Sequence, residues 1–187
     1  MGRPGDDATA AVVKIRKPLV VHLLSGPPIS KDDDEKVVRE FISGDAKKVI
    51  CGGTTAQIVS RVLNRDIKTS LDYVDIQIPP IAYIDGIDLV TEGVLTLTKT
   101  VDILEKYVSG NMNHNELCKL EDRDGATLIA NMLIYDCTCL KLYIGRAMNP
   151  AHQNPNLPVD LSIKLKLLEE LAKYMECLGK TVQKFYY

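Results

Sequence analysis

The sequence predicts an α/β fold, a mainly parallel sheet wound doubly with helices on both faces. Three observations carry that expectation. Short apolar runs of strand length, such as Leu19 to Leu24 and Lys48 to Cys51, are continuous rather than alternating, as in strands covered on both faces. A glycine-rich turn closes each run, and a helical stretch follows. The alternation of strand and helix then continues to the last residues, without internal repeats or low-complexity tracts.

Taken in order, Leu19 to Leu24 is a buried strand closed by Ser25-Gly26-Pro27-Pro28. Asp32-Asp33-Asp34-Glu35 opens a helix through Ile42, its carboxylates at the positive end of the helix dipole. Lys48 to Cys51 is the second strand; after Gly52-Gly53-Thr54-Thr55 a helix runs from Ala56 to Leu63. Asp72 to Ile78 alternates as a strand does, and Pro79-Pro80 breaks it. Two short runs, Ala82 to Ile84 and Ile87 to Val90, flank the turn signal Asp85-Gly86. Thr91-Glu92-Gly93 leads into a helix from Val94 to Val108, and Asn111 to Asp124 reads as a polar loop. Asp124 is placed to cap a helix from Ala126 to Tyr135. Leu140 to Ile144 is the next strand, Asp160 to Leu178 the longest helix, stopped by Gly179, and Thr181 to Tyr187 the last strand. The whole is read as Rossmann-like.

A chain of 187 residues, 45% hydrophobic and 26% charged, suffices for one well-filled core. The net charge of -2 gives no basic field for nucleic acid or an anionic membrane, so neither is expected as a partner. No apolar run reaches membrane-spanning length and no signal-peptide pattern opens the chain. Cys51, Cys118, Cys137, Cys139 and Cys177 are an odd number without a CxxC pair, which fits buried thiols of a cytoplasmic protein better than disulfides or zinc.

In open α/β sheets ligands bind beyond the carboxyl ends of the strands. Those ends carry Ser25 to Pro28, Gly52 to Thr55, Thr91 to Gly93, and Gly145 to Asn154. Gly52-Gly53-Thr54-Thr55 lets backbone approach a ligand and presents helix-start amides to an anion; it equally suits a tight turn with a threonine cap. It is neither a Walker loop, lacking the lysine, nor GxGxxG. Glu92 beside Gly93 is suited to a ribose hydroxyl or an amine, or simply to the helix dipole. Arg146 offers a bidentate fork for phosphate or carboxylate, and Asn149, His152 and Asn154 add donors and acceptors in a proline-stiffened segment. No nucleophile is paired with His152, so no catalytic residue is assigned, and His22, inside an apolar strand, reads as a core residue.

Ahead of this body, Arg3-Pro4-Gly5 is a turn, Asp6-Asp7 a pair of carboxylates, and Thr9 to Ile15 an apolar strand. Asp6-Asp7-Ala8-Thr9 followed by that strand resembles the last motif of the metal-dependent serine/threonine phosphatases of the 2C class, in their bacterial sporulation-stage-II-E-like branch. Leu24 to Pro28, Val49 to Val62, Leu89 to Leu97 and Gly145 to Lys166 resemble the extra C-terminal domain that some of these phosphatases carry. The resemblance divides the chain at Lys17-Pro18: 1–17 as the end of a phosphatase domain, 18–187 as a C-terminal α/β domain. It implies that Asp6 is a ligand of manganese or magnesium in the full-length phosphatase. The other metal-binding carboxylates of that family lie upstream of Asp6, so no phosphatase activity, metal or cofactor is expected here.

The expectation drawn from all this is a cytoplasmic regulatory or sensor domain of a bacterial serine/threonine phosphatase. It would bind a small anionic ligand, phosphate or nucleotide-like, and act on an upstream phosphatase domain. Two alternatives stand beside it: an enzyme in its own right acting on a phosphorylated metabolite, and a scaffold that homodimerises through Phe185, Tyr186 and Tyr187.

Overall fold

The computed structural model describes residues 9–13, 15, 17–69, 80–113, 116, 124–147 and 159–187. They form β1 (Val20–Ser25), α1 (Asp34–Ile42), β2 (Lys47–Cys51), α2 (Gly53–Leu63), β3 (Lys68–Thr69), β4 (Ala82–Tyr83) and β5 (Leu89–Thr91). There follow α3 (Val94–Val108), α4 (Gly125–Asn131), β6 (Cys139–Ile144), α5 (Val159–Cys177) and β7 (Thr181–Tyr186). The expected strand Asp72 to Ile78 lies outside the described residues, as do Asp6, Asp7, Cys118, Asn149, His152 and Asn154.

All seven strands join one sheet in the order β3-β4-β5-β2-β1-β6-β7. The pairs β5–β2, β2–β1, β1–β6 and β6–β7 are parallel, and β3–β4 and β4–β5 antiparallel. The antiparallel corner follows from the turn at Asp85-Gly86, where Gly86 has φ 76° and Ile87 N–H donates to the Ile84 carbonyl at 3.0 Å. In order of appearance the five parallel strands run third, second, first, fourth, fifth. This is a Rossmann-like α/β sheet, and its strand order reverses between β1 and β6.

Two apolar layers sandwich it. On one face Val21, Leu23, Val49, Leu140 and Leu142 pack against Leu97 and Leu104 of α3, Ile129 of α4, and Leu168 and Leu171 of α5. On the other, Leu24, Ile50, Val90 and Tyr143 meet Val38 and Phe41 of α1 and Val59 of α2. The continuous apolar runs that marked the strands are the consequence: both faces of each central strand are covered.

The elements differ from the sequence expectation in several places: β3 has no counterpart in it, and β5 ends at Thr91 rather than Val90. Helix α2 begins at Gly53 rather than Ala56, so the two glycines and two threonines form its cap and first turn. A 3-10 turn at Lys31–Asp33, capped by the Ser30 side chain, precedes α1. The helix over Ala126 to Tyr135 is α4 followed by a π turn at Met132–Asp136. Residues 9–13 join no ladder among the described residues. Val12, Val13 and Ile15 are consequently exposed at 93%, 86% and 93%.

Candidate functional site

The exits of β5, β2, β1 and β6 are joined along the C-terminal edge of the sheet. Gly52 N–H donates to the Thr91 carbonyl at 2.9 Å, and a Cβ on Gly93 would lie 3.7 Å from Gly52 Cα. Gly26 N–H donates to the Thr55 hydroxyl at 2.9 Å in a buried bond. Gly145 N–H donates to the Ser25 carbonyl at 3.0 Å, and Ala147 N–H to the Pro27 carbonyl at 3.1 Å. A side chain at Gly145 would collide with the carbonyls of Gly26 and Pro27, so glycine alone permits this closure. The outcome is a continuous shelf running from Glu92 to Gly145.

The helix starts at this shelf are not equivalent. The first turn of α1 carries Asp34 and Glu35, with Asp32 and Asp33 just before, so its dipole is already answered by carboxylates; buried Asp34 also pairs with Arg61. Helix α2 has no acid in its first turn and is capped by Gly52, at φ 125°, without a side-chain bond. Thr55, read from sequence as a possible cap, instead faces β1 and accepts from Gly26. Backbone amides at Gly53 and Thr54 therefore start the helix beside the loop of β5, where Glu92 Oε1 is 3.6 Å from the position a Gly53 Cβ would take.

Below the shelf runs one rung of the parallel ladder: Thr91, Cys51, Ser25, Ile144 and Tyr186 are in register across five strands. Cys51 and Ile144 belong to the layer under α3 and α5, which puts Ser25 on that face too. Ser25 is fully buried, and its hydroxyl has no hydrogen-bond partner among the described residues. Burial pushes the Cys51 thiol up to about 12, the hydrogen bond from Thr91 opposing the shift, so Cys51 is packing rather than a nucleophile.

No protein-family model, curated protein or solved structure matches this chain.

Of the residues picked out in sequence, Gly52, Gly53, Thr54, Thr55, Glu92 and Gly93 come together at the exits of β2 and β5. Arg146 stands two strand spacings from Gly53, about 10 Å by ladder geometry. Its N–H donates to the Tyr187 carbonyl at 2.9 Å, and its guanidinium lies over the Tyr186 ring, 5.9 Å from the centroid. Asp88, which also borders β5, sits at the opposite end of that strand, clamping the Lys48 amide at 2.7 Å. Among the described residues no group of three metal-ligating side chains is gathered. No helix among them is long and apolar enough to cross a membrane.

The sequence reading missed Lys164. Its ammonium donates to the Gly145 carbonyl at 3.3 Å and occupies the space that a side chain on Gly26 would need. The signal was present: Lys164 stands four residues before Leu168 and seven before Leu171, on the stripe that α5 buries.

Proposed function

We propose that the body from Pro18 onward is a ligand-sensing regulatory domain of a bacterial serine/threonine phosphatase, cytoplasmic like its parent. Its ligand would be small and anionic, phosphate or nucleotide-like, held at the C-terminal edge of the sheet. The observation that supports this best is the continuous shelf through Glu92, Gly52, Gly53, Gly26 and Gly145, where the first turns of both α2 and α3 are free of acidic residues. It lies where open α/β sheets place ligands, next to the reversal of strand order.

Binding there would draw the loops together and favour one arrangement of the shelf over another, as a regulator requires. The route to a phosphatase domain would pass through the segment ahead of Pro18. Its exposed Val12, Val13 and Ile15 suit a strand that completes another sheet, in keeping with the resemblance at Asp6-Asp7-Ala8-Thr9.

A thermal-shift screen with nucleotides and phosphorylated metabolites tests the sensor reading. A concentration-dependent rise in midpoint with an anionic compound is the expected result. The absence of any shift across the anions at millimolar concentration overturns it. The phosphatase assignment is tested separately, by whether the chain restores regulated activity when joined to a catalytic domain of that class.

A further inference from the structure

We infer that the shelf takes a phosphorylated sugar, with the phosphate at Lys164 and Ser25 and the hydroxyls at Glu92 and the start of α2. This rests on the reading of the shelf as an anion site and names the class of anion.

The argument begins with opposed charges. Glu92 brings a carboxylate over the exit of β2, and Lys164 brings an ammonium over Gly26 at the neighbouring exit of β1. Adjacent strands lie about 4.8 Å apart, so the two charged heads stand roughly 5–10 Å from one another. A bare phosphate drawn to the α2 amides would meet the Glu92 carboxylate there. Near Lys164 it meets a cation instead. One residue before Gly26, on the α5 face, Ser25 offers a fully buried hydroxyl without a partner among the described residues. An unanswered buried hydroxyl and a cation on the same face of the sheet suit a phosphate oxygen.

The other end needs a group that donates to Glu92 and accepts from the amides at Gly53 and Thr54. A hydroxyl does both, whereas an ammonium has no acceptor to offer the amides. A sugar phosphate carries hydroxyls and phosphate a few bonds apart, on the scale of the separation between the heads. The sugar phosphate is either free or part of a nucleotide, the chemistry at the shelf being shared.

Calorimetric titration of the chain with inorganic phosphate, ribose 5-phosphate and adenosine monophosphate tests this. Ribose 5-phosphate should bind about tenfold or more tightly than inorganic phosphate. Glu92→Ala should remove that advantage without weakening inorganic phosphate. Lys164→Met and Ser25→Ala should weaken all three ligands, with unchanged circular dichroism showing that the fold persists. Tighter binding of adenosine monophosphate than of ribose 5-phosphate supports a nucleotide source, and equal binding supports a free sugar phosphate. If Glu92→Ala strengthens inorganic phosphate and ribose 5-phosphate equally, or Lys164→Met and Ser25→Ala leave phosphate binding untouched, the inference is overturned while the anion site stands. If none of the three ligands binds, the inference falls, and the anion site stands only if the thermal-shift screen finds another anion.

Discussion

The Gly26 amide at the exit of β1 donates to the Thr55 hydroxyl in the first turn of α2, a buried bond of 2.9 Å that ties two crossover units together. Thr55 is therefore a structural clamp under the shelf. Thr55→Val keeps the volume and leaves the Gly26 N–H without an acceptor, which costs about 1–3 kcal/mol. Urea unfolding should show that loss for Thr55→Val and little of it for Thr55→Ser. Equal stability of wild type and Thr55→Val would mean that the Gly26 amide finds another acceptor.

Lys180, between α5 and β7, fills the corresponding role at the opposite end of the sheet. Its ammonium donates to the carbonyls of Leu133, Ile134 and Cys137 at 2.6, 2.5 and 2.8 Å, answering the end of the π turn. Removing a cation from partly buried carbonyls should lower stability by about 1.5–3 kcal/mol, the range for hydrogen bonds to a charged group. Lys180→Met preserves the aliphatic stem and isolates that effect. A change within the error of the unfolding midpoint would show that water replaces the ammonium at no cost.

His22 gives the fold a pH dependence. It is 2% exposed, its ring lies among Phe41 and Tyr143, and its Nδ1–H donates to the Phe41 carbonyl at 2.7 Å. Burial lowers its pKa below the ordinary 6.5, and Lys141 and Lys48 act in the same direction. The unfolded chain therefore takes up the proton first as the pH falls. Stability is full above about pH 6.5 and declines as pH drops from there towards the folded pKa, by at most about 1.4 kcal/mol per pH unit. Unfolding midpoints at pH 7.5 and 5.5 should differ in wild type and converge in His22→Gln, which keeps a donor for Phe41. An identical slope in His22→Gln would assign the dependence to other groups.

The architecture was legible because each central strand is covered on both faces, and continuous runs such as Val21 to Leu24 record that cover. The glycine turns were legible too, since Gly52, Gly86 and Gly145 stand where φ or close approach excludes a side chain. Charge placement was not. Glu92 could be ranked only beside its own loop, because its approach to Gly53 depends on which strands become neighbours. Lys164 was hidden within an apolar helix stripe, and its meaning emerged only when α5 crossed over Gly26. Thr55 misled in the opposite direction, since threonine at a helix start reads as a cap, and only the β1–β2 pairing gives it another partner.

Arg146 separates topology from side-chain direction. Its loop belongs to the shelf, yet the guanidinium leans over Tyr186, towards the outer strand β7, and remains exposed. From there it would act on an anion at the proposed site through its field rather than a fixed bidentate bond. An exposed charge at that range contributes about 0.2–1 kcal/mol, so Arg146→Ala should weaken inorganic phosphate by a few-fold. The loss should shrink towards nothing near 1 M salt, where the screening length is about 3 Å, and Arg146→Lys should keep most of the affinity. The fold should be unaffected, because the ladder bond to Tyr187 uses the backbone of residue 146. Tyr186→Leu releases the guanidinium from its aromatic seat and should alter affinity no more than Arg146→Ala does. A loss above about a hundredfold in both Arg146→Ala and Arg146→Lys would instead require a bidentate contact, which no point charge reproduces. That result would mean that the side chain leaves Tyr186 to meet the ligand, making Arg146 the moving part of the proposed sensor.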